Sequence, residues 1–193
     1  MAWSRFSINL VFALVVAALA VSAGIFIFQN PERSEIPAKT AGAGPLPENH
    51  PPIDAENQIT DLKQRSAREP NNPQYPAQIG NIYYDAGQYE KAVEYYRQSL
   101  NIRPGDPSVE TDLATCFHYM GQDDKSLEIL DHVLGYNPGF EQAKYNKGTV
   151  LIYGKKDIKG GISVWEDLLR SNPGYRQRAE LEQTIGQLKA SIR

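Results

Sequence analysis

The stretch GNIYYDAGQYEKAVEYYRQSLNIRP, residues 80–104, sets the pattern for most of this 193-residue chain. It has a small residue at its start, a second glycine seven residues later and a proline at its end. A proline cannot continue a helix, because it lacks a backbone donor and its ring clashes with the carbonyl four residues earlier. Prolines at positions 70, 104, 138 and 173 are spaced by 34, 34 and 35 residues. This period is typical of stacked helix–turn–helix units, which usually form binding surfaces.

Three consecutive units of this length can be aligned by their small and large residues. Each unit has two small residues where its helices would cross: Gly80 and Ala92, Ala114 and Ser126, Gly148 and Gly161. Each also has two large residues beside the crossing: Tyr83 and Tyr96, Phe117 and Leu130, Leu151 and Trp165. A close-packed interior requires this complementarity. The third unit stays in register if the turn Gly154-Lys155-Lys156 contains one extra residue, which accounts for the spacing of 35.

These aligned residues resemble the tetratricopeptide repeat family, which has small residues at the crossing, aromatic residues beside it and a proline at the end of each repeat. Pro76, Asp123 and Lys147 depart from the family pattern. The resemblance implies an all-α fold, a short helical solenoid with a cap at its end. The expected segments are a leading half-repeat helix at 54–72, repeats at 73–106, 107–140 and 141–174, and a capping helix at 175–193.

The beginning of the sequence predicts a membrane anchor. Residues 8–28 form an apolar run of 21 residues without a charge, preceded by a short tail, 1–7, that contains Arg5. A helix of this length would extend ~31 Å and could cross a bilayer core of ~30 Å. The basic tail favours a signal anchor with the rest of the chain exported, in a bacterium to the periplasm. The alternative is a cleaved signal peptide with a small-residue site at Val21-Ser22-Ala23.

A linker and an ordinary composition follow the predicted anchor. Residues 29–53 contain six prolines and the run Ala41-Gly42-Ala43-Gly44, so this segment is expected to be an extended linker. The net charge of −3 gives no indication of nucleic-acid binding, which requires a basic face. The single cysteine, Cys116, excludes a disulfide within the chain. It is expected to be a small buried residue, while a reactive thiol or a pair between chains stays open for an exported protein.

The family resemblance implies a concave binding groove lined by the first helix of each repeat. Carried onto this chain, the groove residues are Gln74, Asn81, Tyr84, Thr111, Thr115, His118, Tyr119, Tyr145, Asn146, Thr149 and Tyr153. Tyrosine offers a large contact area and a hydroxyl at small entropic cost, which suits a protein or peptide partner. The alternative is that several of these tyrosines belong to the core or cover the turns. No lysine or arginine is among them, so a strongly acidic peptide tail is not the expected ligand.

The sequence contains no arrangement that predicts catalysis. His118 follows Cys116 at a spacing of two, but no third ligand or partner base accompanies them. The segment 154–161 has glycines and lysines without the order of a phosphate-binding loop, and it follows a helix rather than a strand. We therefore expect neither an enzyme nor a cofactor nor a metal site.

Two functional hypotheses follow from the sequence. The first is a membrane-anchored adaptor that holds partner proteins near the membrane, in the assembly of an envelope protein complex. The anchor, the few repeats and the Trp165 of the last repeat are similar to the tetratricopeptide repeat proteins of bacterial cytochrome c maturation. The second is a structural protein that forms homo-oligomers through the solenoid or its capping helix.

Overall fold

The computed structural model describes residues 53–192, and these residues form a row of helices. The helices are α1 Ile53–Arg68, α2 Gln74–Asp85, α3 Tyr89–Ile102, α4 Pro107–Tyr119, α5 Asp123–Tyr136, α6 Glu141–Thr149, α7 Ile158–Ser171 and α8 Arg178–Ser191. A five-residue π-helical turn, Val150–Gly154, continues α6 directly. The expected all-α architecture is confirmed for this part of the chain.

The helices pack in sequence order, as a solenoid requires. Helices α2 and α3, α4 and α5, and α6 and α7 form the three hairpins, and each hairpin contacts the next. The first helices of the second and third hairpins, α4 and α6, also contact each other directly. Helix α1 packs against α2 at one end of the row, and α8 packs against α7 at the other.

Small residues allow the two helices of a hairpin to approach closely. A Cβ atom added to Gly80 would lie only 2.7 Å from the ring of Tyr96, and one added to Gly148 would collide with the indole of Trp165. Tyr96 and Trp165 are themselves buried, with 0% and 2% of their surface exposed. The predicted pairing of small and large residues is confirmed at these two crossings.

The turns of the first two hairpins have the same backbone conformation and the same hydrogen bond. Gly87 and Gly121 both adopt a φ of +71°, in the left-handed region that glycine enters without strain. The backbone N–H that follows each glycine donates across the turn, from Gln88 to Tyr83 O and from Gln122 to Phe117 O, at 2.8 Å in both. These bonds satisfy carbonyls at the helix end that otherwise lack partners.

The third hairpin departs from this conformation because it contains one residue more. The backbone N–H of Lys155 donates to Val150 O at 3.0 Å, which closes the wider π-helical turn. The next bond, from Asp157 N–H to Leu151 O at 2.8 Å, spans six residues instead of five. Lys156 takes the left-handed position with φ +60°. The extra residue is thus accommodated partly inside the helix end, whereas the sequence predicted it in the turn alone.

The two end helices cover the apolar faces of the terminal repeats. Ile59 of α1 is buried, and so are Leu181 and Ile185 of α8, while Leu188 is half-buried. Ile192 lies beyond the end of α8 and is 38% exposed. The capping contacts of α8 are therefore made by Leu181, Ile185 and Leu188.

The predicted anchor at 8–28 and most of the linker at 29–53 lie outside the described residues. Within 53–192, none of the helices combines the length and apolar character needed to cross a membrane.

Candidate functional site

Three tyrosines form a compact aromatic surface, which we call the tyrosine cluster: Tyr84, Tyr89 and Tyr119. The rings of Tyr89 and Tyr119 are stacked, with centroids 4.8 Å apart and an interplanar angle of 12°. Tyr84 meets both edge-on, at 5.7 Å from Tyr89 and 6.0 Å from Tyr119. Tyr119 remains 42% exposed, although large aromatic side chains are usually well buried.

The helix ends bring these three rings together. Tyr84 is the next-to-last residue of α2, and Tyr89 begins α3 after the tight turn at Gly87. Tyr119 is the last residue of α4, at the corresponding end of the next hairpin. The cluster is therefore a product of the repeat itself, because neighbouring repeats place the same helix ends side by side.

Two phenols of the cluster, those of Tyr84 and Tyr89, remain neutral over the physiological pH range. Burial, followed by the electrostatic influence of Tyr119, raises the pKa of Tyr84 far above its ordinary value. The same two causes, in the same order, raise the pKa of Tyr89. A neutral phenol keeps an O–H that can donate a hydrogen bond. The cluster can therefore offer a partner aromatic surface as well as hydroxyl donors.

His118 borders the cluster and is held by a neighbouring carboxylate. Its Nδ1 lies 2.6 Å from Asp123 Oδ1, and its ring centroid lies 5.7 Å from that of Tyr119. Both His118 and Asp123 retain 18% of their side-chain surface. The Asp123 carboxylate also fits against Gly154, where an added Cβ would collide with it. The histidine is thus fixed in orientation at the edge of the aromatic surface.

Three predicted groove residues do not line an open surface. Thr111, Thr115 and Asn146 are only 0%, 6% and 5% exposed. Asn146 Nδ2 donates to Thr115 Oγ1 at 2.9 Å, and Thr115 donates to Thr111 O at 2.8 Å. The bond between Asn146 and Thr115 joins α6 to α4, which pack directly against each other, while the bond to Thr111 O lies within α4. The burial of all three side chains leaves no open surface for the predicted partner contact, and Asn146 and Thr115 instead hold neighbouring repeats together.

The remaining predicted groove residues differ in their availability. Gln74 is exposed at the start of α2, and its backbone N–H donates to Asn72 Oδ1 at 3.1 Å. Asn81 is half-buried and accepts a bond from the hydroxyl of Tyr96 at 2.8 Å, which ties it to the core. Thr149 donates to Tyr145 O at 3.1 Å and is half-buried.

The tyrosines of the third repeat are partly engaged by the core. Tyr145 stacks on Trp165 at a centroid distance of 5.6 Å, and Trp165 Nε1 donates to Tyr145 O at 2.9 Å. Burial raises the pKa of Tyr145 to about 12, with Tyr153 and Glu180 adding to the effect. Tyr145 and Tyr153 are both half-buried against the same apolar cluster. Only part of each side chain is therefore open to a partner, which agrees with the alternative that some of the tyrosines serve the core.

Sequence reasoning missed two residues of this region. Tyr89 is not among the predicted groove residues, although its position beside the turn indicates a place next to Tyr84. Asp112 was not considered, yet its carboxyl is buried in α4 with 8% of the residue exposed. The signal was present in the spacing, because Val109, Asp112 and Cys116 share one face of the helix. Gln142 Nε2 donates to Asp112 Oδ1 at 3.1 Å across the contact between α4 and α6.

Asp112 is also the most perturbed carboxyl in the described part of the chain. Removal from water raises its pKa to about 7, and nearby Asp106 and Asp85 act in the same direction. The bond from Gln142 opposes this shift without overcoming it. A group that changes charge near neutral pH therefore lies at the seam between the second and third repeats.

Cys116 is expected to be unreactive in the folded protein. The residue is 0% exposed, and burial, with a contribution from Asp112, raises the pKa of its thiol to about 12. Since the thiolate is the reactive species, its fraction at pH 7 should fall about a thousandfold relative to an ordinary cysteine. Alkylation by iodoacetamide, followed by mass spectrometry, should be slow in buffer and rapid in 6 M urea. Equal rates in the two conditions would contradict this burial.

Residues 53–192 contain no group of three or more histidine, cysteine, aspartate or glutamate side chains arranged to hold a metal ion. Glu110 receives bonds from His132 Nδ1 at 3.1 Å and from the hydroxyl of Tyr136 at 3.2 Å. These three side chains link α4 to α5, and we interpret their bonds as stabilising the packing of the two helices.

Comparison with known proteins agrees with this architecture. Residues 83–147 match the sequence profile of the tetratricopeptide repeat. Over this segment the chain is similar to the tetratricopeptide repeat (TPR) family. No curated protein sequence matches the chain. The helices resemble those of MamA, which is 19% identical, with a TM-score of 0.62 over 72% of this chain and 79% of that one.

Two further solved structures show the same fold in other settings. The first TPR domain of Spaghetti (RPAP3), bound to the HSP90 peptide SRMEEVD, is 17% identical, with a TM-score of 0.53 over 62% of this chain and 94% of that one. A mutant O-GlcNAc transferase from Thermobaculum terrenum is 20% identical, with a TM-score of 0.55 over 61% of this chain and only 23% of that one. At this level of identity the resemblance establishes the fold, which is in general a scaffold for protein–protein interaction.

Proposed function

We propose that this protein is a membrane-anchored TPR adaptor that binds a protein or peptide partner on its tyrosine cluster. In this proposal residues 8–28 hold the chain in the membrane, residues 29–53 give it reach, and the repeats act outside the cytoplasm. The adaptor would bring partner proteins together during assembly of an envelope complex, without catalysis or a cofactor of its own.

The observation that supports this most directly is the exposure of Tyr119. Its ring is 42% exposed while two further tyrosine rings pack around it. A monomeric protein gains little from presenting a preassembled aromatic surface to water, whereas binding hot spots are enriched in tyrosine. The fixed rings also lose little conformational entropy when a partner is bound.

The RPAP3 domain supports the binding of a peptide by this fold, but its peptide belongs to a class of ligand that does not suit this chain. That peptide, SRMEEVD, is acidic. The predicted groove residues of this chain include neither lysine nor arginine. A carboxylate placed there would lose its hydration without gaining a cation, which is unfavourable.

Photocrosslinking in intact cells tests the adaptor proposal. A photoreactive amino acid in place of Tyr119 should trap a partner protein, because this ring forms the most exposed part of the cluster. The matched control is the same replacement at Tyr136, which is 45% exposed on α5 and contacts Glu110 rather than the cluster. If Tyr136 traps partners and Tyr119 does not, binding occurs elsewhere on the repeats.

Self-assembly is the second candidate, and the exposed apolar residue at the end of the cap favours it. Ile192 is 38% exposed beyond α8, where another copy could cover it. Light scattering on the full-length protein and on the Ile192→Ser variant distinguishes the candidates. Oligomers that dissociate in the variant would support self-assembly, and a strict monomer in both would exclude it.

A further inference from the structure

Three aromatic rings elsewhere in the repeats lie close to a lysine or arginine side chain of the same chain. Lys91 Nζ lies 5.2 Å from the ring centroid of Tyr83, and Lys63 Nζ lies 5.8 Å from that of Tyr95. Phe117 is approached by Arg97 at 5.7 Å and by Lys125 at 5.4 Å. Among the described residues, no lysine or arginine takes such a position over a ring of the tyrosine cluster.

The charges beside the cluster are acidic. Glu90 is exposed directly after Tyr89, and its charge acts on Cys116, one turn before Tyr119 on α4. Asp123 is bonded to His118, whose ring centroid lies 5.7 Å from that of Tyr119. An aromatic surface with carboxylates beside it presents negative electrostatic potential from its ring faces and from its rim.

Two basic side chains close to Glu90 or Asp123 in the sequence or the fold are engaged elsewhere. Lys91 follows Glu90 in sequence, but its Nζ donates to Gln88 Oε1 at 2.7 Å and lies over Tyr83. Lys155 pairs with Asp124 at 2.6 Å. The chain therefore leaves the attraction of the cluster for a cation unsatisfied.

We propose that the tyrosine cluster binds an arginine- or lysine-bearing extended segment of the partner protein, with the cation on the face of Tyr119 and near Glu90. This inference rests on the proposed adaptor function and specifies its ligand. A guanidinium group fits this surface best, because it is planar, stacks on aromatic rings and is more weakly hydrated than an ammonium group. Its N–H groups can donate to the carboxylate of Glu90 while its plane covers the phenol ring.

Fluorescence anisotropy with a matched pair of probes tests this specificity on the full-length protein. The first probe is a fluorescein-labelled nonapeptide of three Gly-Arg-Ser units, and the second replaces each arginine by neutral, isosteric citrulline. We expect the arginine peptide to bind more tightly than the citrulline peptide by at least about threefold. Tyr119→Leu should remove most of this difference while the net charge of the protein is unchanged.

Control variants separate a specific site from general attraction to an acidic protein. Tyr136→Leu removes an equally exposed ring on α5, and it should leave the affinity for the arginine peptide within twofold. Glu90→Gln should weaken binding, whereas the same charge change at exposed Glu128 of α5 should not. Circular dichroism of each variant confirms that the repeats remain folded.

The outcomes distinguish this inference from the adaptor proposal. Equal binding of both peptides, or equal losses in the Tyr119 and Tyr136 variants, would overturn the cationic specificity. If Tyr119 crosslinks a partner in cells through a neutral or acidic segment, the adaptor function stands and the cationic inference fails. If the arginine peptide binds at Tyr119 but crosslinking finds partners only at Tyr136, the adaptor proposal fails at this surface.

Discussion

Replacing Gly148 by alanine is expected to destabilise the third repeat by about 2–3 kcal/mol, the cost of overpacking a closely packed core. The added Cβ would collide with the indole of Trp165 and lie 2.9 Å from its Cε2 atom. Trp165 cannot withdraw easily, because its ring stacks on that of Tyr145 and its Nε1 donates to Tyr145 O. A urea titration of the full-length protein, followed by far-ultraviolet circular dichroism, measures the change.

A matched substitution at Gly186 should have the opposite sign. Gly186 lies inside α8, and a Cβ added there meets no atom within 4 Å. Alanine at such a helical position stabilises by roughly 0.5–1 kcal/mol, because the unfolded chain loses conformational freedom. Two changes with identical chemistry should therefore move the transition in opposite directions. A loss of stability in both variants would show that the contact between Gly148 and Trp165 is not the cause.

The period of the prolines made this pair of residues predictable. Once Gly148 and Trp165 were placed at equivalent positions to Gly80 and Tyr96, close packing required one to be small and the other large. The π-helical turn at Val150–Gly154 could not be inferred in this way. An extra residue can be accommodated in a helix end or in a loop with the same effect on the repeat spacing, and the choice depends on backbone hydrogen bonds.

The binding surface was harder to predict than the fold for a similar reason. Periodicity places Tyr119 and Thr115 on the first helix of the same repeat, but it does not measure how closely the next helix approaches. The packing of α4 on α6 buries Thr115 and leaves Tyr119 at the helix end exposed. Exposure is a property of neighbouring repeats, so a pattern within one repeat predicts it poorly.

Asp112 links the packing of the repeats to pH, and Asp112→Asn should reveal this link. The folded protein has a pKa of about 7 for this carboxyl, whereas an unfolded aspartate has one near 3.9. Between these values the folded state binds more protons than the unfolded state, so the free energy of unfolding falls as pH rises. Below pH 4 both states are protonated and the penalty vanishes, and above pH 7 it is fully present.

The size of the effect follows from the difference between the two pKa values. Each unit corresponds to about 1.4 kcal/mol, so the buried charge should cost the protein roughly 4 kcal/mol at pH 8. Asparagine keeps an oxygen that can accept the bond from Gln142 but never becomes charged. Asp112→Asn should thus match the parent protein to about 0.5 kcal/mol near pH 4 and exceed its stability by about 4 kcal/mol at pH 8.

Urea titrations of both proteins at pH 4, 6 and 8 measure this difference, and other titrating groups cancel because they are common to the pair. The control is Asp54→Asn, at the exposed beginning of α1. This change should alter the free energy of unfolding by no more than about 0.5 kcal/mol at any of the three pH values. A difference between the Asp112 pair that stays constant with pH would mean that the carboxyl is hydrated in solution. The seam between α4 and α6 would then be open to water at Asp112, and the packing that separates buried Thr115 from exposed Tyr119 would be looser than the structure indicates.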